Sequence, residues 1–288
     1  MTSIRKAVFP VAGLGSRFLP ATKAQPKEML TVVDKPVIQY VVEEAVAAGI
    51  TDIIIITGQS KRAIEDHFDR NFELETRLIE QKKSGPLKEV QNITKLANFI
   101  YVRQKEMLGD GHAIMQAASL LEGEPFAVLF GDDIIDSPRP ALLEMVELYD
   151  ELRAPIVCTT KVPKKDTHRY GIVAGHDEQP GVKRIDTFVE KPEVDKAPST
   201  QAVVGRYIVT PELMSALMHL KPKKGGELRL ADAIQSFMTE HPVYAYMHKG
   251  TRHDCGDKLG FLKATVDLGL QHPELSPAFR RHLKKVSS

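Results

Sequence analysis

The sequence predicts an α/β protein: a mixed, largely parallel sheet covered by helices, with a smaller β-rich lobe. Strand and helix signals alternate through the first half of the chain. Ile53-Ile54-Ile55-Ile56 is a β-branched run apolar on both faces, as in a parallel strand buried from both sides. After Lys161 the pattern changes to strand signals separated by turns, which predicts the lobe.

In order, residues 7–11 form an apolar strand. Residues 37–48 read as a helix, opened near Pro36 and ended by Gly49. Residues 52–57 are the buried strand. Residues 61–68 and 73–83 are expected to be helical, and 99–102 a short strand. A helix over 112–121 follows the Gly109–Gly111 turn. The strand 126–130 ends at Gly131-Asp132-Asp133. A helix over 141–152 and a strand over 156–160 complete this half. A sheet built this way binds ligands at the carboxyl ends of its strands. Strands then follow at 170–174, 184–189 and 202–209, helices at 211–219 and 230–240, a strand at 243–246, and helices at 258–271 and 277–285. With no repeat and no convincing linker, residues 1–288 read as one domain: a first half to about residue 160, a second to about 270, and a helical tail over 271–288.

Composition narrows the function classes. The 288 residues are 42% hydrophobic and 27% charged, with a formal net charge of +1. No global field favours nucleic acid or an anionic membrane, so any basic site is local. The two cysteines, Cys158 in an apolar run and Cys255 after Asp254, suit a reducing compartment without a disulfide framework. No uninterrupted apolar segment is long enough for a bilayer. The expected location is cytoplasmic.

The stretch from Gly13 to Leu30 carries the most chemistry. It follows the first strand directly and contains Gly13, Gly15, Arg17, Lys23 and Lys27, stiffened by Pro20 and Pro26. A buried strand breaking into a glycine turn presents bare backbone N–H groups to a phosphate, and the cations complete a polyphosphate cradle. It is neither of two familiar glycine loops, because Phe18 stands where both a dinucleotide turn and a P-loop need glycine.

Other candidates lie at strand ends. Asp132-Asp133 suits a hard cation, since Mg²⁺ takes one or two carboxylates plus substrate phosphates, or is a solvated turn. Asp254 reads either as a second ligand or as a helix N-cap. No paired Cys-x-x-Cys or His-Glu-x-x-His accompanies His253 and Cys255, so a zinc site is not expected. Glu190-Lys191 sets an acceptor for sugar hydroxyls beside a cation for a phosphate, or is a charged strand end before Pro192. The Gln104 amide suits a base edge or a polar surface. His112 reads as structural.

Together these residues resemble the sugar-phosphate nucleotidylyltransferases, whose signature is complete here as Gly13, Gly15, Arg17, Phe18, Pro20, Thr22, Pro26 and Lys27. The match narrows to the bacterial-type uridylyltransferases through Pro26-Lys27-Glu28-Met29-Leu30, Asp34-Lys35-Pro36, Ile38-Gln39-Tyr40-Val41-Val42, Val189-Glu190-Lys191-Pro192, Val204-Gly205-Arg206-Tyr207 and His253-Asp254-Cys255-Gly256. It runs from about Arg5 to about Gly269. The resemblance implies the Rossmann-like nucleotide-diphospho-sugar transferase fold, with a nucleotide-binding first half and a sugar-phosphate-binding second half. It implies UTP and glucose 1-phosphate as substrates, Mg²⁺ as cofactor, and a homo-oligomer with no nucleic-acid or membrane partner.

Residue by residue, it implies that Ala12, Gly13, Gly15, Glu28, Gln104 and Gly109 bind the nucleotide. Arg17 and Lys27 would hold the triphosphate, and Asp132 and Asp254 the metal. Gly171, Glu190 and Val203 would line the sugar pocket, with Lys191 on the sugar phosphate. The implied reaction is attack of the sugar phosphate on the α-phosphorus of UTP, without a general base or covalent intermediate. A thymidylyltransferase of the same family, or a non-catalytic sugar-nucleotide sensor, is the alternative. One position departs. The family has Gly-Leu-Gly-His-Ala where this chain has Gly109-Asp110-Gly111-His112-Ala113. Asp110 is expected either beside the base pocket, modifying nucleotide choice, or as a solvent-facing turn residue.

Overall fold

A computed structural model describes residues 4–222 and 226–287. The strands are β1 (Lys6–Pro10), β2 (Thr31–Val32), β3 (Lys35–Pro36), β4 (Asp52–Thr57), β5 (Asn98–Arg103), β6 (Phe126–Leu129), β7 (Asp133–Asp136), β8 (Ile156–Lys161), β9 (Gly171–Gln179), β10 (Val182–Glu190), β11 (Gln201–Val209), β12 (Tyr244–Met247) and β13 (Thr251–Asp254). The helices are α1 (Val37–Ala47), α2 (Arg62–Phe68), α3 (Phe72–Glu80), α4 (Ser84–Thr94), α5 (Asp110–Met115), α6 (Ala118–Leu121), α7 (Ala141–Leu152), α8 (Pro211–His219), α9 (Leu230–Phe237), α10 (Lys258–Gln271) and α11 (Ser276–Val286).

Nine strands form one sheet in the order β5-β4-β1-β6-β11-β8-β12-β10-β9. The run β5-β4-β1-β6 is parallel, and β11 enters antiparallel to β6. The β-rich lobe is therefore a continuation of the main sheet. It closes on itself, because β9 pairs back onto the start of β11 through Gln201↔Val173 and Ala202↔Ile172.

The isoleucine run explains the layering. Successive side chains of a strand face opposite ways. Ile53 and Ile55 pack with α1, α2 and α7 through Ile38, Val42, Phe68 and Met145. Ile54 and Ile56 pack on the other face with α5, α8 and α9 through Ile114, Leu213 and Leu230. Each such buried side chain contributes roughly 1.5–3 kcal/mol. A smaller cluster, Val32, Val37, Ile134, Cys255 and Ala264, seats α10 against β2 and β7.

Several elements differ from the sequence reading. The helix expected at 112–121 begins at Asp110 and is interrupted between α5 and α6. A further helix, α4, follows α3; Pro86 sits in its first turn, where no intrahelical N–H is needed. The pair β7–β13 also escaped the sequence reading: four residues each, antiparallel, with Asp254 opposite Asp133. No helix among the described residues is long and apolar enough to cross a membrane.

Candidate active site

The loops after β1, β4, β5 and β6 emerge at one edge of the sheet because these strands run parallel. Those after β1, β5 and β6 enclose a compartment of about 300 Å³ lined by Ala12, Gly13, Lys27, Glu28, Gln104 and Gly109, among others. A second compartment, of about 310 Å³, opens between this edge and the lobe. It is lined by Arg17, Gly171, Glu190, Val203 and Asp254, with Tyr170, Tyr207, Arg169, Arg229 and Arg252. Asp110, Phe130 and Asp132 line both, so the compartments adjoin there.

In the first compartment Gln104 is buried just past β5. Its amide nitrogen donates to the Gly109 carbonyl at 3.2 Å and meets His112 Nδ1 at 2.9 Å. That leaves Oε1 as its acceptor for a ligand N–H. His112, expected to be structural, orients this amide. Gly109 has φ +102°, and a β-carbon there would lie 2.3 Å from the Leu228 carbonyl oxygen, so only glycine lets the loop pass. Glu28 is buried and pairs with Lys61 at 2.8 Å. Burial pushes the Glu28 carboxyl above its ordinary range even against the Lys61 charge. Lys61 was not among the expected site residues. It follows Gly58-Gln59-Ser60, which carries no motif, and only the fold brings it to Glu28.

Lys27 Nζ meets Asp132 Oδ2 at 2.5 Å where the compartments join. Burial alone would raise the Asp132 carboxyl, but the Lys27 charge outweighs it and holds the group below its ordinary range. Asp132 and Asp133 have different surroundings. Asp133 Oδ2 accepts from Gly205 N–H at 2.9 Å and Oδ1 from Arg252 Nε at 2.8 Å. Behind it lies the fully buried Arg206, which donates to the Asp133 carbonyl and to Glu44 Oε2, at 2.6 and 2.7 Å from Nη2. Asp133 is thus part of the scaffold, and Asp132 is the carboxylate at the junction.

Pairing of β13 with β7 brings Asp254 to the same place. The N-cap of α10 is Asp257, whose side chain accepts from Gly260 N–H at 2.8 Å, so Asp254 is not the helix cap. A β-carbon built on Gly256 would lie 2.8 Å from Asp132 Oδ2 and 3.0 Å from Asp254 Oδ1. Both carboxylates therefore lie against Gly256, where any side chain would intrude on them. Two carboxylates beside a loop of backbone N–H groups and cations are a donor set that fits Mg²⁺.

Three expected residues stand apart. Gly15 lines neither compartment; its carbonyl accepts from Thr22 Oγ1 at 2.8 Å, and its role is in the loop's shape. Arg17 lies in the second compartment, with Nη1 3.4 Å from the Gly256 carbonyl, and does not line the compartment that holds Gln104. Lys191 lines neither compartment; its side chain is 55% exposed and Nζ is 3.7 Å from Glu190 Oε1. Asp110 is no solvent-facing turn residue. It lines both compartments, and burial pushes its carboxyl above the ordinary range.

A mixed sheet whose parallel run carries a cation-bearing glycine loop, with adjoining compartments at its edge, defines a nucleotide-handling transferase. The chain belongs to the nucleotidyl transferase family, whose model matches residues 6–270. Within that family it is 48% identical over 286 residues to the UTP–glucose-1-phosphate uridylyltransferase of Staphylococcus epidermidis, covering 99% of each chain. Its structure is similar to a UTP-bound UGPase from Acinetobacter baumannii, with a TM-score of 0.90 and 43% identity over 97% of this chain and 98% of that one. It is also similar to a UDP-glucose pyrophosphorylase complexed with UDP-glucose, with a TM-score of 0.85 and 41% identity over 93% of this chain and 100% of the other.

Proposed function

We propose that the chain transfers the uridylyl group of UTP to α-D-glucose 1-phosphate, forming UDP-glucose and releasing pyrophosphate. The observation that carries this reading is the meeting of the two compartments at Asp132 and Lys27, one with a base-reading amide and the other with a carboxylate and tyrosines. The names of the relatives and of the ligand-bound neighbours support the choice of substrates.

Uracil offers one N–H donor between two carbonyl acceptors, and Gln104 Oε1 is the acceptor available to it. Ala12 and Gly13 bring backbone against the nucleotide. Lys27 and Arg17 supply fixed positive charge to the triphosphate and its flank. Glu190 accepts from sugar hydroxyls, with Gly171 and Val203 forming the adjacent wall. Lys191, outside the lining, swings from Glu190 to the sugar phosphate when it arrives. A phosphate oxygen of glucose 1-phosphate attacks the α-phosphorus. The new P–O bond forms opposite the breaking bond to pyrophosphate, which leaves with that electron pair. The nucleophile is already an anion, so the protein's work is alignment and charge shielding. Asp132 and Asp254 would hold Mg²⁺, which neutralises charge on the phosphates.

The test is pyrophosphate release from UTP and glucose 1-phosphate, compared with dTTP, ATP and other hexose 1-phosphates. Turnover fastest with the first pair supports the reading. A preference for dTTP, or no release from any pair, overturns it.

A further inference from the structure

Asp110 stands where the two compartments meet and where the chain departs from its family motif, and its surroundings assign it a task. Oδ1 accepts from its neighbour Gly111 N–H at 2.7 Å and from Leu230 N–H at 3.2 Å. Leu230 is the first residue of α9, and the N-cap position, Arg229, gives that helix no side-chain cap. Asp110 therefore caps α9 from 120 residues away. This bond fixes the carboxylate's orientation. Among the described residues, Oδ2 has no hydrogen-bond partner. The charges that bear on the group are Glu190, which lines the second compartment with it, and Arg229, whose guanidinium is already held by Glu227 at 2.6 Å. The Tyr207 hydroxyl lies in the field of both Asp110 and Glu190.

We propose that Asp110 is a specificity-determining residue of the sugar compartment: Oδ1 anchors the carboxylate to α9, while Oδ2 accepts a hydrogen bond from a hydroxyl of the glycosyl group. This rests on the uridylyltransferase reading given above. An ionised carboxylate accepts and cannot donate, so it suits a hydroxyl-rich ligand and repels the carbonyl acceptors of a pyrimidine. The single pyrimidine donor already has Gln104. Acceptors at Asp110 and Glu190 facing one compartment select a hydroxyl-bearing sugar over a deoxy one.

The experiment is calorimetric titration of the full chain, and of its Asp110→Asn and Asp110→Leu variants, with UDP and with UDP-glucose. The ratio of the two affinities isolates the glucosyl contribution, because nucleotide contacts are common to both ligands. Asn keeps an acceptor for Gly111 and Leu230 but replaces the charged acceptor at the ligand, so the ratio is expected to fall about fivefold, since charge-assisted bonds are roughly twice as strong as neutral ones. Leu removes both functions, and the ratio is expected to fall further, with a lower melting temperature from the lost cap. A ratio unchanged within about twofold in both variants, on the scale set by ordinary surface substitutions, overturns the proposal and leaves Asp110 a cap. A change confined to UDP affinity also overturns it, by moving the contact to the nucleotide. If the ratio falls as expected but the unmodified chain releases no pyrophosphate from UTP and glucose 1-phosphate, the activity reading fails and the Asp110 contact stands. A chain that binds neither ligand overturns both.

Discussion

Replacing Asp254 with Asn separates holding a cation from holding the fold. The carboxylate makes few protein contacts. Gly256 N–H donates to Oδ1 at 3.0 Å, the Tyr170 hydroxyl lies 3.4 Å from Oδ2, and the Arg252 and Arg169 guanidinium groups lie at 3.7 and 3.8 Å. Asn keeps an acceptor for Gly256, and no helix cap is lost because Asp257 caps α10. Burial holds the Asp254 carboxyl above its ordinary range despite Arg252. A carboxyl raised in this way binds its proton more tightly when folded. Its ionisation therefore counts against folding as pH rises from the unfolded value of about 3.9, with the full cost present above the folded pKa. Asn carries no such charge, so the melting temperature at neutral pH is expected to hold or rise. The rate should move the other way. Loss of one preorganised group that stabilises charge in the transition state costs on the order of 10²–10³ in kcat, about 2.7–4 kcal/mol. The assay is pyrophosphate release at limiting and at saturating Mg²⁺, with thermal melts of both proteins. Parental turnover at limiting Mg²⁺, or a melting temperature several degrees lower, refutes the reasoning.

Gly256→Ala places a methyl carbon 2.8 Å from Asp132 Oδ2 and 3.0 Å from Asp254 Oδ1, so the Mg²⁺ concentration for half-maximal rate should rise several-fold; an unchanged Mg²⁺ dependence counts against the shared site. Arg206→Met strips the cation from Glu44, whose side chain is only 8% exposed, and should cost about 3–5 kcal/mol in urea unfolding. Adding Glu44→Leu should recover part of that loss, and a single-variant cost below ~1 kcal/mol contradicts the account. Glu190→Gln should raise KM for glucose 1-phosphate, whereas Lys191→Met should lower kcat by removing charge from the transferring phosphate. Parental kinetics in the Lys191 variant would leave that residue as one half of an exposed ion pair.

Much of the fold is legible locally. The isoleucine run announces a strand buried on both faces because alternation is absent, and the structure divides its side chains between two helical layers. The helices α1, α7 and α8 carry their own apolar periodicity and boundary residues, and their sequence-derived limits, like those of α10, agree with the observed ones to within a residue. The helix α4 opens on Ser84-Gly85-Pro86, residues unfavourable in a helix interior that here occupy only its first turn. The glycine loop shows its chemistry in residue types alone, and Gln104, Glu190 and Asp132 are conspicuous as polar residues at strand ends.

From residue order alone come the alternation of strands and helices, the cation-bearing glycine loop, and the polar residues that end buried strands, since each depends on neighbours within a few positions. Only the tertiary structure decided which of those residues meet. Asp254 reaches Asp132 because β13 pairs with β7, Lys61 reaches Glu28 across 33 residues, and Asp110 caps α9 across 120. The same structure gave the α10 cap to Asp257 rather than Asp254 and left Lys191 outside the lining. Such pairings follow from strand register and from the burial of whole layers. These are properties of the packed chain, and no local pattern of side chains encodes them.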